Sequence, residues 1–155
     1  MSNGLVAGGV VLLAGAVFAL GFAFGAESAH RRIVAPDAPP RPGAPYSPGV
    51  MAGDLLFLSG NIGQNPASGR ISGEFATDAR QALDNLGKVL RAAGLDWPDV
   101  VKVNVYVKDI GRFDEFNKLY TSILPAPLPA RTFLQVADLP GGGIVEVEAV
   151  AVRRR

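Results

Sequence analysis

The pattern of apolar and polar positions changes character twice along the chain. Leu5 to Ala26 is a run of Leu, Val, Ala, Phe and Gly without a charge. At about 1.5 Å per helical residue it reaches roughly 33 Å, enough to cross a bilayer core of about 30 Å. It exceeds the roughly 7–15 residues usual for the apolar part of a signal peptide, and nothing basic precedes it. Ala26-Glu27-Ser28, however, has the small-x-small form of a cleavage site. The expectation is an N-terminal hydrophobic helix that stays attached as a single-pass membrane anchor. Cleavage and export to the periplasm, or a buried hydrophobic helix, are the alternatives. His30-Arg31-Arg32 directly follows the run, and by the positive-inside rule the body behind it lies in the cytoplasm. Pro36, Pro39, Pro40, Pro42, Pro45 and Pro48 come next and predict an extended, semi-stiff spacer. The chain therefore divides into an anchor or signal segment at 1–32, a proline-rich linker at 33–48 and a folded domain at 49–155.

Within the body the periodicity alternates between two and about 3.6. Asp54 to Ser59 is a short apolar run between Gly53 and Gly60, a buried strand. Asn61 to Gly73 predicts a loop with a short returning strand at Arg70-Ile71. Phe75, Ala79, Ala82, Leu83, Leu86, Val89, Leu90 and Ala93 form one face of a helix over about Thr77 to Ala93, with Gly94 as its stop. Val101, Val103, Val105 and Val107 alternate with Lys102, Asn104, Tyr106 and Lys108, a half-buried strand. A second helix spans about Arg112 to Ile123 and is ended by Pro125, Pro127 and Pro129. Arg131 to Val136 is a strand, Leu139 to Gly143 a turn, and Ile144 to Val152 the last strand. This order predicts an α+β domain whose sheet carries both helices on one face. The other face, where polar and aromatic groups alternate with valine, has no cover within the chain, so self-association through it is expected.

Composition narrows the chemistry. The 155 residues contain no cysteine and one histidine, His30. Thiolate zinc sites, cysteine nucleophiles, multi-histidine metal sites and a Ser-His-Asp triad in the body are thereby excluded. The net charge of +1 gives no general attraction to nucleic acid. Gly141-Gly142-Gly143 follows Leu-Pro and precedes a strand, which makes it a turn rather than a phosphate loop.

A few residues remain as candidates. Glu146 and Glu148 are two apart, so both project from the same side of the last strand. If the last two strands pair as a hairpin, Arg131 and Glu146 come together near one sheet end. They then form either an ion pair that ties the strands or a guanidinium that grips a carboxylate beside an acid that directs a water. Ser59-Gly60-Asn61 is either a strand-terminating turn or a source of backbone donors. Asn117 lies on the polar flank of the second helix, and Tyr46 emerges from the proline spacer either to pack on the body or to enter a site. Tyr106 reads as a surface strand residue.

Taken in order, Gly43-Ala-Pro-Tyr-Ser47, Leu56-Phe-Leu-Ser-Gly60, Gln81-Ala-Leu-Asp-Asn-Leu86, the stretch Asp99 to Asp109, Phe116-Asn117, Pro129-Ala-Arg-Thr132 and Val145-Glu-Val-Glu-Ala149 resemble the RidA (YjgF) family. The resemblance covers about residues 34–153. It implies a chorismate-mutase-like α+β fold, a homotrimer with ligand clefts between subunits, and a deaminase that hydrolyses enamines and imines such as 2-aminoacrylate to 2-keto acids and ammonia. It implies that Arg131 binds the substrate carboxylate and that Glu146 positions the attacking water. Tyr46 would close the cleft, with Ser59, Gly60 and Asn117 contacting the ligand. No cofactor and no metal are implied, because an imine carbon is already electrophilic. Phe133, where many members carry a small or thiol residue, bears on the substrate range, and the apolar head is absent from most members. The expected partners are small imine or enamine carboxylates, further copies of the chain, the membrane through residues 5–26 and a membrane-protein partner, with no nucleic acid. The alternative to a tethered deaminase is a non-enzymatic trimer that binds a carboxylate ligand or serves a membrane complex.

Overall fold

The computed structural model of the chain describes residues 31–36 and 43–154. The apolar run Leu5–Ala26 lies outside the described residues, and among those described no helix is long and apolar enough to cross a membrane. Six strands, β1 (Arg32–Val34), β2 (Gly49–Ala52), β3 (Leu55–Ile62), β4 (Val100–Val107), β5 (Ala130–Gln135) and β6 (Val145–Val152), form one sheet. Two helices, α1 (Phe75–Ala92) and α2 (Phe113–Ile123), follow β3 and β4. The sheet order is β1-β2-β3-β6-β4-β5. Every neighbouring pair is antiparallel except β4 and β5, which are parallel across the α2 crossover.

This topology corrects the expected hairpin. β6 does not pair with β5; it runs between β3 and β4, and β5 is the edge strand beyond β4. A strand whose inward residues Val145, Val147, Ala149 and Ala151 are all buried gains most from a central place, with ladder partners on both sides. The returning strand at 70–71 is also absent. The Asn65 side chain instead accepts from the Ala67 and Ser68 amides, and Gly69 N donates to the Asn65 carbonyl, closing a local turn. The sheet reaches back to Arg32, so β1 and β2 enclose the proline-rich stretch between them.

Strand parity builds the core. Leu56, Leu58, Val103, Val105, Val107, Val145 and Val147 point to one face and are buried against the apolar stripe of α1 and against Phe116 and Tyr120 of α2. Among the described residues nothing covers the opposite face, as expected. Ile33, Leu55, Phe57 and Leu134 are 50%, 40%, 46% and 50% exposed there. Between these apolar flanks runs a polar strip in which Lys102 donates to Thr132, while Asn104 and Tyr106 both donate to Glu148.

α1 starts two residues before the expected Thr77, because Glu74 is its N-cap and accepts from the Ala76 and Thr77 amides. Its first turn also carries Asp78, which is 1% exposed. That carboxylate accepts from Ser72 N at 2.9 Å, Ser72 Oγ at 2.7 Å and Gly73 N at 3.0 Å, fastening the loop before the helix. Gly63 lets the end of β3 pass against this turn, since a Cβ there would lie 2.5 Å from Asp78 Cβ and its carbonyl oxygen. Asp78→Ala leaves three donors without their acceptor in a part-buried site. We expect it to cost about 2 kcal/mol in urea unfolding, and a loss below about 0.5 kcal/mol, the range of ordinary surface changes, would show that water replaces the carboxylate.

Candidate active site

The end of β3 is irregular. Its register with β6 shifts between Leu58 and Asn61, so Ser59 and Gly60 occupy a bulge that re-aims the strand. Ser59 uses both of its donors to hold the segment before β2: its amide donates to the Pro48 carbonyl at 3.0 Å and its hydroxyl to the Ser47 carbonyl at 2.7 Å. These bonds fix the chain immediately after Tyr46, which stands 64% exposed at the cleft. On the far side, Asn85 of α1 donates to the carbonyls of Ile62 at 3.2 Å and Gln64 at 2.9 Å, while Gln81 donates to Asn85 at 2.9 Å. The strand end is thus pinned to the helix beneath it.

Glu146 projects from β6 on the face away from the helices, opposite Ile62 on one side and Tyr106 on the other. Its carboxylate lies over Gly60, where a Cβ would come 1.7 Å from Glu146 Oε1. A side chain at 60 would therefore push the acid out of the place it holds, although the backbone dihedrals there make no demand for glycine. A cleft of about 510 Å3 opens here, lined by Tyr46, Ser59, Gly60, Ile62, Gly141 and Glu146 among others. Burial, and secondarily the Glu148 carboxylate, raise the pKa of Glu146 above the usual carboxylate range. Glu148 is a different kind of residue, because its Oε1 is committed to Asn104 Nδ2 at 2.8 Å and to the Tyr106 hydroxyl at 2.9 Å. That bond to Glu148 is the main cause raising the Tyr106 pKa.

Arg131 lies elsewhere. It pairs with Val103 in the β4–β5 ladder and shares that residue's face, the helix side. Its Nη2 donates to Asn117 Oδ1 at 2.6 Å. The guanidinium carbon stands 4.9 Å from the Tyr120 ring centre, 5.6 Å from that of Phe113 and 5.8 Å from those of Phe116 and Phe133. Phe133 packs edge-on against Phe113 and tilted against Phe116, so its ring forms a wall of the arginine's surroundings and not of the Glu146 cleft. Burial pushes the Tyr120 phenol up to about 12, and its hydroxyl has no partner among the described residues.

The residues singled out from sequence therefore fall into two groups. Tyr46, Ser59, Gly60 and Glu146 share one cleft, whereas Asn117, Arg131 and Phe133 share an aromatic-walled niche at the sheet edge. The two groups point to opposite faces. They are also two strands apart, about 10 Å, and three residues apart along the strands, again about 10 Å. The expected meeting of Arg131 and Glu146 at one sheet end does not occur within the chain, and neither does the ion pair that was its structural alternative. Sequence reasoning missed Asn85 and the ring box. Gln81 and Asn85 are spaced i,i+4, and Phe113, Phe116, Asn117 and Tyr120 form one helical stripe; both patterns were visible but had no assigned target until the topology placed β3 and β5 beside them.

Residues 36–153 match the family described as Endoribonuclease L-PSP. The 2-iminobutanoate/2-iminopropanoate deaminase of Homo sapiens is 41% identical over 128 residues, covering 82% of this chain and 93% of the human protein. The chain belongs to the RidA/YjgF family. The Escherichia coli K12 protein of the same name is 39% identical over 126 residues, covering 79% of this chain and 98% of its own. Among solved structures, RidA from an Antarctic Psychrobacter species superposes with a TM-score of 0.74 at 34% identity, covering 79% of this chain and 99% of that one. E. coli TdcF with bound serine superposes with a TM-score of 0.72 at 35% identity, covering 79% and 99%. These relatives bear out the expectation of an enzyme of the imine-deaminase type and the RidA-like α+β fold.

The Gly60 contact yields a direct test. Gly60→Ala displaces the Glu146 carboxylate without removing it. The deaminase rate is expected to fall about 100-fold or more, equivalent to roughly 3 kcal/mol of transition-state stabilisation, while the far-ultraviolet circular dichroism spectrum stays that of the wild type. A folded, fully active Gly60→Ala would show that the acid does not work from the position it holds over residue 60.

Proposed function

We propose that the chain hydrolyses 2-imino acids and their enamine tautomers to 2-keto acids and ammonia, in a homotrimer whose clefts form between copies. The observation that carries this reading is the separation of the two groups. The Glu146 cleft offers an acid to direct water, yet among the described residues that line it there is no cation to hold a carboxylate substrate. The arginine that could do so is held ready on the other face of the edge strand β5. A second copy packed against the uncovered sheet face, with its exposed Ile33, Leu55, Phe57 and Leu134, and with the edge strand β5 of one copy beside the cleft of the other, would bring one copy's Arg131 to the other's Glu146.

In such a cleft Arg131 grips the substrate carboxylate through two parallel charge-assisted bonds, a geometry a lysine does not reproduce. Glu146 takes a proton from water as the oxygen adds to the imine carbon. Glu146 returns that proton to the nitrogen, giving a neutral carbinolamine, and then carries the hydroxyl proton to the nitrogen as well, so that the C–N bond breaks with ammonia as the leaving group and the carbon is left as the ketone. Burial raises the pKa of Glu146, which makes its carboxylate a stronger base toward water than an exposed one. Tyr46 covers the cleft mouth. Ser59 serves as a brace for Tyr46, since its donors are spent. The uncharged run Leu5–Ala26, outside the family match, tethers the trimer to a membrane with the bodies on the cytoplasmic side in this reading.

The test is hydrolysis of freshly generated 2-iminobutanoate by the full chain. Arg131→Ala is expected to lose about two orders of magnitude in kcat/KM, from a charged hydrogen-bond pair worth roughly 1.5–3 kcal/mol and the loss of substrate alignment. Glu146→Gln should still bind 2-oxobutanoate but lose turnover, and Glu148→Gln should change turnover little. Wild-type turnover by a folded Arg131→Ala trimer would leave the non-enzymatic binding module as the better reading.

A further inference from the structure

The proposal here rests on the deaminase reading and concerns how Arg131 is held. The guanidinium has five N–H donors and no acceptor, so the Asn117 atom that faces it must be Oδ1. That bond, at 2.6 Å, ties one nitrogen of the fork to the middle of α2. Phe113, Phe116 and Tyr120 occupy the same helical stripe as Asn117, and Phe133 is two residues beyond Arg131 on the same strand face. The side chain is thereby set in direction by the amide and in position by rings on several sides. No carboxylate pairs with Arg131 among the described residues, so its charge is oriented but not neutralised.

We propose that Asn117 is a positioning residue: it orients Arg131 for the substrate carboxylate and acts on the substrate only through that arginine. The neutrality of the amide is the essential property. An aspartate at 117 would orient the guanidinium at least as firmly, but it would spend the positive charge on an internal ion pair and repel an incoming carboxylate. An alanine would leave the charge and lose the direction. A freely rotating arginine gives up rotamer entropy on binding that the fixed one has already lost, which weakens affinity without altering the chemical step. The phenol of Tyr120 cannot supply the missing charge compensation, since burial keeps it protonated.

This account predicts an order that a purely structural hydrogen bond would reverse. With the full chain, Asn117→Ala should raise KM for 2-iminobutanoate, and the Kd of 2-oxobutanoate, about 10-fold, with kcat within about threefold of wild type. Asn117→Asp should leave the urea midpoint unchanged or higher, yet weaken 2-oxobutanoate about 100-fold, more than alanine does. Asn117→Gln, which keeps a neutral acceptor, should fall between wild type and alanine. If Asn117 only braces α2 against β5, aspartate is tolerated and alanine is the damaging change; that result overturns the proposal. Should Asn117→Asp not fold, equal 2-oxobutanoate affinity in wild type and Asn117→Ala overturns it alone. A wild type that binds 2-oxobutanoate through Arg131 in the stated order without hydrolysing the imine sinks the deaminase reading and leaves the role of Asn117 standing. A wild type with no Arg131-dependent binding contradicts both.

Discussion

A β-strand sends successive side chains to opposite faces, and this parity separates the arginine from the acid. Arg131 shares the face of Val103, and Glu146 shares the face of Tyr106. With β4 between their strands, no rotamer of either residue closes the gap. One chain therefore carries an anchor without an acid in reach and an acid without an anchor. A chemistry that needs both has to draw them from different copies, and the sheet face left bare by the two helices is where a copy can sit. In the proposed trimer, assembly and catalysis are consequences of the same strand register.

Within the single chain each half already holds its group still. Under Glu146, the bulge at Ser59-Gly60 is secured from above by the bonds to residues 47 and 48 and from below by Asn85. The acid then lies in a space that only glycine leaves open. Under Arg131, an amide and four rings do the same for the guanidinium. The polar strip of Asn104, Tyr106 and Glu148 fills the middle of the open face, where satisfied hydrogen bonds suit an interface between copies better than a lone charge.

The sequence made some of this legible and not the rest, for physical reasons. The valines of β4 and β6 alternate cleanly because one side of each strand is core, and the apolar faces of both helices follow 3.6 periodicity; these elements lie where the pattern put them. β1 and β2 were missed because both are short and lie beside prolines, β1 at the sheet edge, with little apolar signal of their own. Pairing is a non-local property: β6 follows β5 through a short turn, which suggests a hairpin, and only the demand for a buried central strand moves it across β4. The family motifs marked Arg131, Glu146, Tyr46, Ser59, Gly60 and Asn117, but not that they divide into two groups. Periodicity within each strand does give facing, yet the relative facing of β5 and β6 depends on their registers with β4.

The central claim is that a working cleft takes Arg131 from one copy and Glu146 from another. It is tested most directly by co-refolding the Arg131→Ala and Glu146→Gln chains in equal amounts and assaying 2-iminobutanoate hydrolysis. Each variant alone is expected to be nearly inactive. In mixed trimers about a quarter of the clefts pair an intact arginine with an intact acid, so activity should return to about a quarter of wild type. If the mixture stays as inactive as its components although mass measurement shows mixed oligomers, the two residues do not meet across copies and the account is wrong.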